Sequence, residues 1–359
     1  MEQLSLSSYQ IVKGTPWSSG IGTRVSECKS LTDVLDKSNL NFHVSKCNAS
    51  MRLKLTEDDT VGELRGSDFI HDEHLFRVIP KQFVTYRTDT KAPLGIVNNK
   101  YTIVQNKDAF ECFEGAIKDG YATWDRAGYF GNGQKVFISA KLANTINVAG
   151  DEVDNYLVFS TSHDGSSSVK IMFTPIRVKC CNMLNAALRS AHSYISFKHT
   201  INADNKIKEA AEILNVAWKK AEDSEQLYNA LTYIKMSDED VMKYISSIFL
   251  SDEEYNAILS SNTENKFKRL FLGDSNIKEE LNISTRKANI CNSVMTYYYN
   301  GAGQKEIAGN AWGAYNAVTG YFSNVIKLDG EKRTESLLWG NANSTMQKAL
   351  VNAHEYGLY

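Results

Sequence analysis

A chain of 359 residues, 42% hydrophobic and 23% charged, has the make-up of a globular protein long enough to bury one large core or two. A net charge of −2 excludes a uniformly basic protein that coats nucleic acid, and no stretch has the length and apolarity of a membrane span, so no membrane partner is expected. Six cysteines with no CxxC pair, and a start MEQLSLSSYQ without a charged region and apolar core, point to mostly buried free thiols in a reducing cytoplasm.

Residues 1–40 read as a polar arm anchored at Pro16-Trp17, with Gly20, Gly22 and a short helix near Leu31–Leu35. Residues 41–105 are strand-rich: Phe42 and Val44, then Met51, Leu53 and Leu55 alternate, followed by Phe76, Val78, Phe83, Tyr86 and Tyr101, Ile103. The polar segment Val61–Glu73 reads as a loop. Asn106 can cap a helix reaching about Asp119, with Ala109, Phe110, Cys112, Phe113, Ala116 and Ile117 as its apolar stripe and Gly120 at its stop. Three strands follow, Val136–Leu142, Tyr156–Thr161 and Val169–Phe173, and Asp164-Gly165 between the last two is a hairpin signal.

From about Asn182 the period turns helical. Leu184, Ala187, Leu188 and Ala191 share a face, and Ile207, Ala210, Leu214, Ala217, Trp218 and Ala221 make a longer stripe. Ser237 with Asp240, and Ser251 with Glu254, are capping boxes. Helices continue over Arg286–Tyr299 and Trp312–Phe322, and the glycine-rich join Asn300–Gly309 reads as a mobile connection. The fold class expected is α+β: an N-terminal antiparallel β-sheet domain with a helix–three-strand meander–helix unit, followed by a helical C-terminal region. The divisions are an arm over 1–40, an α+β core over 41–200 and helices over 201–359.

Charge is unevenly spread. Residues 121–200 carry 8 Lys and Arg against 5 Asp and Glu, and residues 201–283 carry 10 against 16. A basic middle beside an acidic stretch suits a polyanion-binding face, or is ordinary solvated charge. Lys135, Lys141, Lys170 and Lys179 interleave with Phe137 and Tyr129, as single-strand binding uses. On alternate positions Lys135, Phe137, Ser139 and Lys141 share one strand face; the plainer reading is a solvated sheet.

His163-Asp164 within S-H-D-G-S has three readings: a general base with an orienting carboxylate, a nucleic-acid contact, or a turn whose Asp164-Gly165 folds the backbone while Ser and His cap it. Arg177 can reach a phosphate or pair with a carboxylate such as Asp164 across the hairpin. Asn182 reads as a helix N-cap, and the N–H groups at that helix start also suit a phosphate. His71 and His74 with Asp72 and Glu73 lack a third ligand and read as surface groups rather than a metal site. The Tyr297–Tyr299 run and Trp312, Tyr315 and Tyr321 suit packing or a subunit contact. There is no GxxxxGK[ST], no GxGxxG after a strand, no HExxH and no GxSxG, so no cofactor, metal or catalytic residue is assigned.

Trp17 with Gly20 and Gly22, Leu94-Gly95, Tyr101–Asn106, Ala127-Gly128, Gly131–Val136, Ser162–Ser166 and Thr174–Asn182, in that order, resemble the phage/plasmid-like protein family built on the domain of unknown function 932. Near the end, Trp312 and Asn316 fall in Ala311–Thr319, which is similar to the family's G-T-x-W-x-x-x-N-A-V-T, with Asn310-Ala311 where Gly-Thr is expected. The resemblance implies a protein of phages, prophages and plasmids acting inside a bacterial cell, and it brings no assigned activity. The helix–meander–helix order also looks like the core of Rad52-like single-strand annealing proteins, a likeness of topology alone.

The leading expectation is a non-enzymatic protein that binds single-stranded DNA in replication or recombination. Lys135, Lys141, Lys170, Lys179 and Arg177 would hold phosphates, with Phe137 and His163 near the bases. Two alternatives stand beside it: a protein that binds a host factor, and a hydrolase or nuclease centred on His163, Asp164 and Arg177. Assembly as a homo-oligomer is left open.

Overall fold

The computed structural model describes residues 22–64, 66–180, 182–184, 194–199, 213–328 and 330–356. Trp17, the predicted helical positions Ala187, Leu188, Ala191, Ile207 and Ala210, and Cys181 lie outside the described residues. The fold is α+β, two antiparallel sheets followed by a layer of helices.

The first sheet is small. After β1 (Thr23–Arg24) and α1 (Leu31–Lys37), whose Ser30 and Asp33 form a capping box, come β2 (Val44–Lys54), β3 (Phe69–His71), β4 (His74–Arg87) and β5 (Pro93–Asn98). β4 is central, with β2 along one side and β3 and β5 along the other. β3 lies where a loop was expected. Asp72 and Glu73, both with positive φ, close a two-residue turn that pairs His71 with His74 at an exposed tip. Tyr101 and Ile103, expected in a strand, lie in the coil before the next helix, where the Tyr101 hydroxyl donates to the Ser162 carbonyl at 2.6 Å.

The predicted helix after Gln105 is broken into α2 (Asn106–Phe110), a 3₁₀ turn (Glu111–Phe113) and α3 (Glu114–Lys118). The tighter turn brings residues three apart onto one face, so Phe110 and Phe113 both meet Phe159, with ring centroids 5.4 and 6.2 Å away. Asn106 is the first helical residue rather than the cap, and its amide is turned inward.

The large sheet contains β6 (Ala122–Phe130), β7 (Lys135–Val148), β8 (Asp151–Ser162), β9 (Val169–Arg177) and β10 (Asn182–Met183), ordered β1-β6-β7-β8-β9-β10, with β11 (Tyr194–Phe197) also on β9. The meander therefore has four strands, not three. β6 escaped the pattern because a bulge between Trp124 and Arg126 breaks its alternation and places a charged pair mid-strand. β8 and β9 are buried along nearly their whole length, so both sheet faces are covered.

The helical layer consists of α4 (Ile213–Tyr233), α5 (Asp238–Phe249), α6 (Asp252–Ser260), α7 (Lys266–Phe271), α8 (Ser275–Glu280), α9 (Thr285–Asn300), α10 (Ala311–Gly320), a π-helical turn (Tyr321–Val325), α11 (Gly330–Trp339) and α12 (Asn341–Glu355). Both predicted capping boxes, Ser237 with Asp240 and Ser251 with Glu254, start helices α5 and α6. α4 packs on β7 and β9, and α10 on β10. One cluster of buried apolar side chains runs from Val25 to Ala353, across position 200. No helix among the described residues is long and apolar enough to cross a membrane. Of the described cysteines, Cys180 and Cys291 are buried and Cys47 is exposed.

The two sheets meet at the loop between β8 and β9. Thr85 on β4 donates to the His163 carbonyl at 2.6 Å, and the His163 amide donates to the Gln134 carbonyl at 2.7 Å. Gly95 on β5 lies flat against Asp164: a Cβ there would fall 2.5 Å from Asp164 Cα, backbone that cannot swing aside. Gly95→Ala is expected to lower the unfolding free energy by about 1–3 kcal/mol. An unchanged urea midpoint in that variant would contradict this close approach.

Candidate anion-binding site

Two stretches far apart in the chain, Thr174–Asn182 and Ala311–Thr319, meet in the interior. Arg177 ends β9 with its side chain fully buried, and its Nε pairs with the Asp151 carboxylate at the start of β8. Its Nη2 donates to the Gly303 carbonyl at 2.8 Å, and Nη1 lies 3.5 Å from Cys180 Sγ. The same Asp151 oxygen accepts from Trp312 Nε1 at 3.2 Å. Asn182 Nδ2 donates to the Asn316 carbonyl at 3.0 Å, while its Oδ1 accepts from Asn324 Nδ2 at 2.8 Å and from the Tyr297 hydroxyl at 3.2 Å. The π-helical turn carries Asn324 and Ser323 to this point, and the Ser323 hydroxyl accepts from the Met183 amide.

Arg177, Asp151, Asn182, Trp312 and Asn316 are each at most 3% exposed, so these groups join the helical layer to the sheet rather than greet a ligand. Burial pushes the Cys180 thiol up to about 11, which keeps it protonated and a poor nucleophile at neutral pH. The Asn300–Gly309 join, expected to be mobile, is docked here: Gly303 meets Arg177, and Gln304 is fully buried.

Several expectations are overturned by this geometry. Arg177 pairs with Asp151, not Asp164, because the β8/β9 register sets Arg177 opposite Val153, while Asp164 lies beyond the far end of β8, about 30 Å along the strand. Asn182 is not a helix N-cap; it sits in β10 with its side chain engaged by α9, α10 and the π-helical turn. His163, Asp164 and Arg177 do not converge, so no catalytic trio is assembled.

His163 is fully buried at the joint between the sheets. Asn106 gives its amide N–H to the Leu40 carbonyl at 2.9 Å, leaving its oxygen to accept from His163 Nε2 at 2.8 Å. The neutral ring then carries its proton on Nε2, and Nδ1 has no partner among the described residues. Burial, with His199 nearby, drives the pKa of His163 down to about 3. Asp164 and Gly165 do form the turn: Gly165 has φ +76, and Asp164 Oδ1 accepts from the Ser166 amide and hydroxyl. His163 is therefore interior, not a nucleic-acid contact. Phe137 is interior too, 2% exposed and stacked on Phe130 with centroids 5.5 Å apart, so it offers no face to a base.

The lysines divide. Lys141 pairs with Asp154 at 2.6 Å, and Lys179 with Glu306. Lys135 and Lys170 line a cavity of about 450 Å³, open to solvent, between the large sheet and the α11–α12 corner. Its wall holds Lys135 on β7, Lys170 on β9, Ser166 and Ser167 from the turn, and Lys332, Glu335 and Ser336 on α11; Gly340 and Asn341 close it at the start of α12. Glu335 reaches in to pair with Lys135. Burial first, and then the Lys135 charge, lower the proton affinity of Lys170, while the Glu335 carboxylate opposes the shift. Such a wall can hold an oxyanion through ammonium and hydroxyl donors. Among the described residues there is no group of three metal-ligating His, Cys, Asp or Glu side chains.

The family model of the Domain of unknown function (DUF932) matches residues 93–351, both meander and helices. The chain belongs to this family. No curated protein and no solved structure matches it. Every residue of the buried junction and of the cavity wall lies within the DUF932 region, whereas β2, β3 and β4 precede it.

Half of the cavity wall was invisible in the sequence. Lys332, Glu335, Ser336 and Asn341 lie in a helical stretch that carries no motif, and no local pattern announces that α11 will fold over β7 and β9. Asp151, the partner of Arg177, was missed because a single carboxylate at a strand start has no periodic signature.

Proposed function

We propose that this protein binds nucleic acid through its phosphates, single-stranded DNA being the form bound, in the replication or recombination of a mobile genetic element inside a bacterial cell. The observation that supports the reading best is the open cavity in which Lys135, Lys170 and Lys332 converge beside Ser166 and Ser167. Lys141 and Lys179 are held by carboxylates and take a lesser part, and stacking on Phe137 is withdrawn. The four-strand meander is one strand longer than the order that resembles single-strand annealing proteins, so annealing has less support than binding.

Labelled single strands and duplexes titrated with the full-length protein test the reading. Micromolar affinity for single strands is expected, falling at least about tenfold between about 50 and 200 mM salt. Lys170→Ala should weaken it severalfold with the fold intact. No salt-sensitive binding at micromolar protein removes the proposal.

A further inference from the structure

The outer half of the small sheet presents a face that neither the buried junction nor the cavity uses. β3 pairs with β4 so that Phe69 stands opposite Phe76 and His71 opposite His74, and β2 sets Arg52 opposite Phe76 and Lys54 opposite His74. Residues opposite one another in antiparallel strands point to the same side, so these side chains share one face. The intervening row, Leu53, Leu75 and Ile70, points to the other side.

The two phenylalanine rings are stacked, with centroids 4.7 Å apart and planes 8° from parallel. Phe69 is 51% exposed, so the stack ends on a ring open to solvent. The Arg52 guanidinium lies 5.9 Å from the centroid of Phe76, and its Nη2 donates to His74 Nε2 at 3.1 Å. His74 Nδ1 donates to the Asp72 carbonyl at 2.6 Å, which leaves Nε2 as the acceptor of the neutral ring. The rings and the guanidinium are therefore held in place before any ligand arrives.

β2, β3 and β4 contain no Asp or Glu. The carboxylates of this region sit in its loops: Glu57–Asp59 after β2, Asp68 paired with Arg77, and Asp72-Glu73 at the tip, where Asp72 lies beside His71. A flat aromatic surface flanked by arginine and lysine suits unpaired bases, whose rings stack on it while their phosphates run alongside. Resting on the nucleic-acid reading above, we infer that the Phe69–Phe76 face of the small sheet is a base-stacking platform for single-stranded nucleic acid, with Arg52 and Lys54 on the adjoining phosphates. It supplies the aromatic part that buried Phe137 cannot, and it lies ahead of the DUF932 region.

Two labelled strands of equal length, titrated with the full-length protein, separate the outcomes: oligothymidylate, and an abasic strand with the same phosphates and no bases. Oligothymidylate is expected to bind about fivefold tighter or more. Phe69→Ala should abolish that preference, and so should Phe69→Leu, which keeps the apolar bulk without a ring. Phe69→Tyr, which keeps a ring, should preserve it. Lys54→Gln should instead weaken both strands alike and lower the salt slope by about one. Circular dichroism of each variant checks the fold. Equal affinity of the unaltered protein for the two strands, with salt-sensitive binding retained, overturns the platform and leaves the nucleic-acid reading standing. A preference that survives Phe69→Leu also overturns it, because the stacking then lies elsewhere. Absence of binding by either strand overturns both readings. A dimer in sedimentation that Phe69→Leu dissociates, with strand binding unchanged, overturns the platform and gives the face to a second copy of this chain.

Discussion

Arg177→Ala is expected to destabilise the protein by about 3–5 kcal/mol, the range for removing one partner of a buried ion pair. The loss comes less from the missing attraction than from what remains. Asp151 would be left as a carboxylate 3% exposed, with Trp312 Nε1 as the donor to one oxygen and no partner for the other. The same substitution removes the donor to Gly303 and so loosens the turn that links α9 to α10. Chemical unfolding monitored by circular dichroism measures it. Arg177→Ala combined with Asp151→Ala should be less harmful than the sum of the two single changes, since each removes the charge the other strands. A loss below about 1 kcal/mol in the single variant would show that the pair is dispensable to the junction.

Acid should weaken the fold well before its carboxylates titrate. In the unfolded chain an imidazole takes up a proton near pH 6.5. In the folded protein burial holds His163 to about 3 and His199 to about 4. Between these values the unfolded chain binds more protons, so stability falls as pH falls, by about 1.4 kcal/mol per pH unit for each histidine. The stability is fully present above about pH 6.5 and is lost progressively toward pH 4. For both rings together the expected loss is about 3 kcal/mol between pH 6.5 and 5.

Geometry explains the size of the effect. The second proton on His163 would go to Nδ1, which is buried with no partner among the described residues. Urea midpoints at stepped pH give the slope directly. His163→Gln, whose amide can still donate to Asn106, should reduce the slope to that of one histidine. A midpoint that stays constant from pH 7 to 5 would mean that the rings accept their protons without cost.

Much of the fold was legible because it is written locally. The capping boxes at Ser237 and Ser251 started helices as expected, since a hydroxyl and a carboxylate three residues apart satisfy each other's backbone N–H groups regardless of what packs above them. Asp164-Gly165 turned the chain because only a few residue types adopt positive φ cheaply. The alternation of Lys135–Leu142 announced a strand, but it could not say that Phe130 and Gly22 would pack against Phe137 on its lysine-bearing face. Phe137 was therefore read as exposed, and it is buried. β6 and β10 were missed for the complementary reason: a bulge and a two-residue strand carry too little periodicity to register.

By itself, then, the sequence determined the α+β class, the helix starts at Ser237 and Ser251 and the hairpin turn, and it marked the segments around His163, Arg177, Asn182 and Trp312 as special. Only the tertiary structure decided what they do. Whether Arg177 meets a phosphate or a carboxylate depends on strand register, which set it beside Asp151. Whether Lys170 faces water, a carboxylate or a cavity depends on where α11 lands, and that contact joins residues with no local relation. Side-chain propensities act over a few residues, but charge pairing and burial are settled by neighbours that only folding brings close.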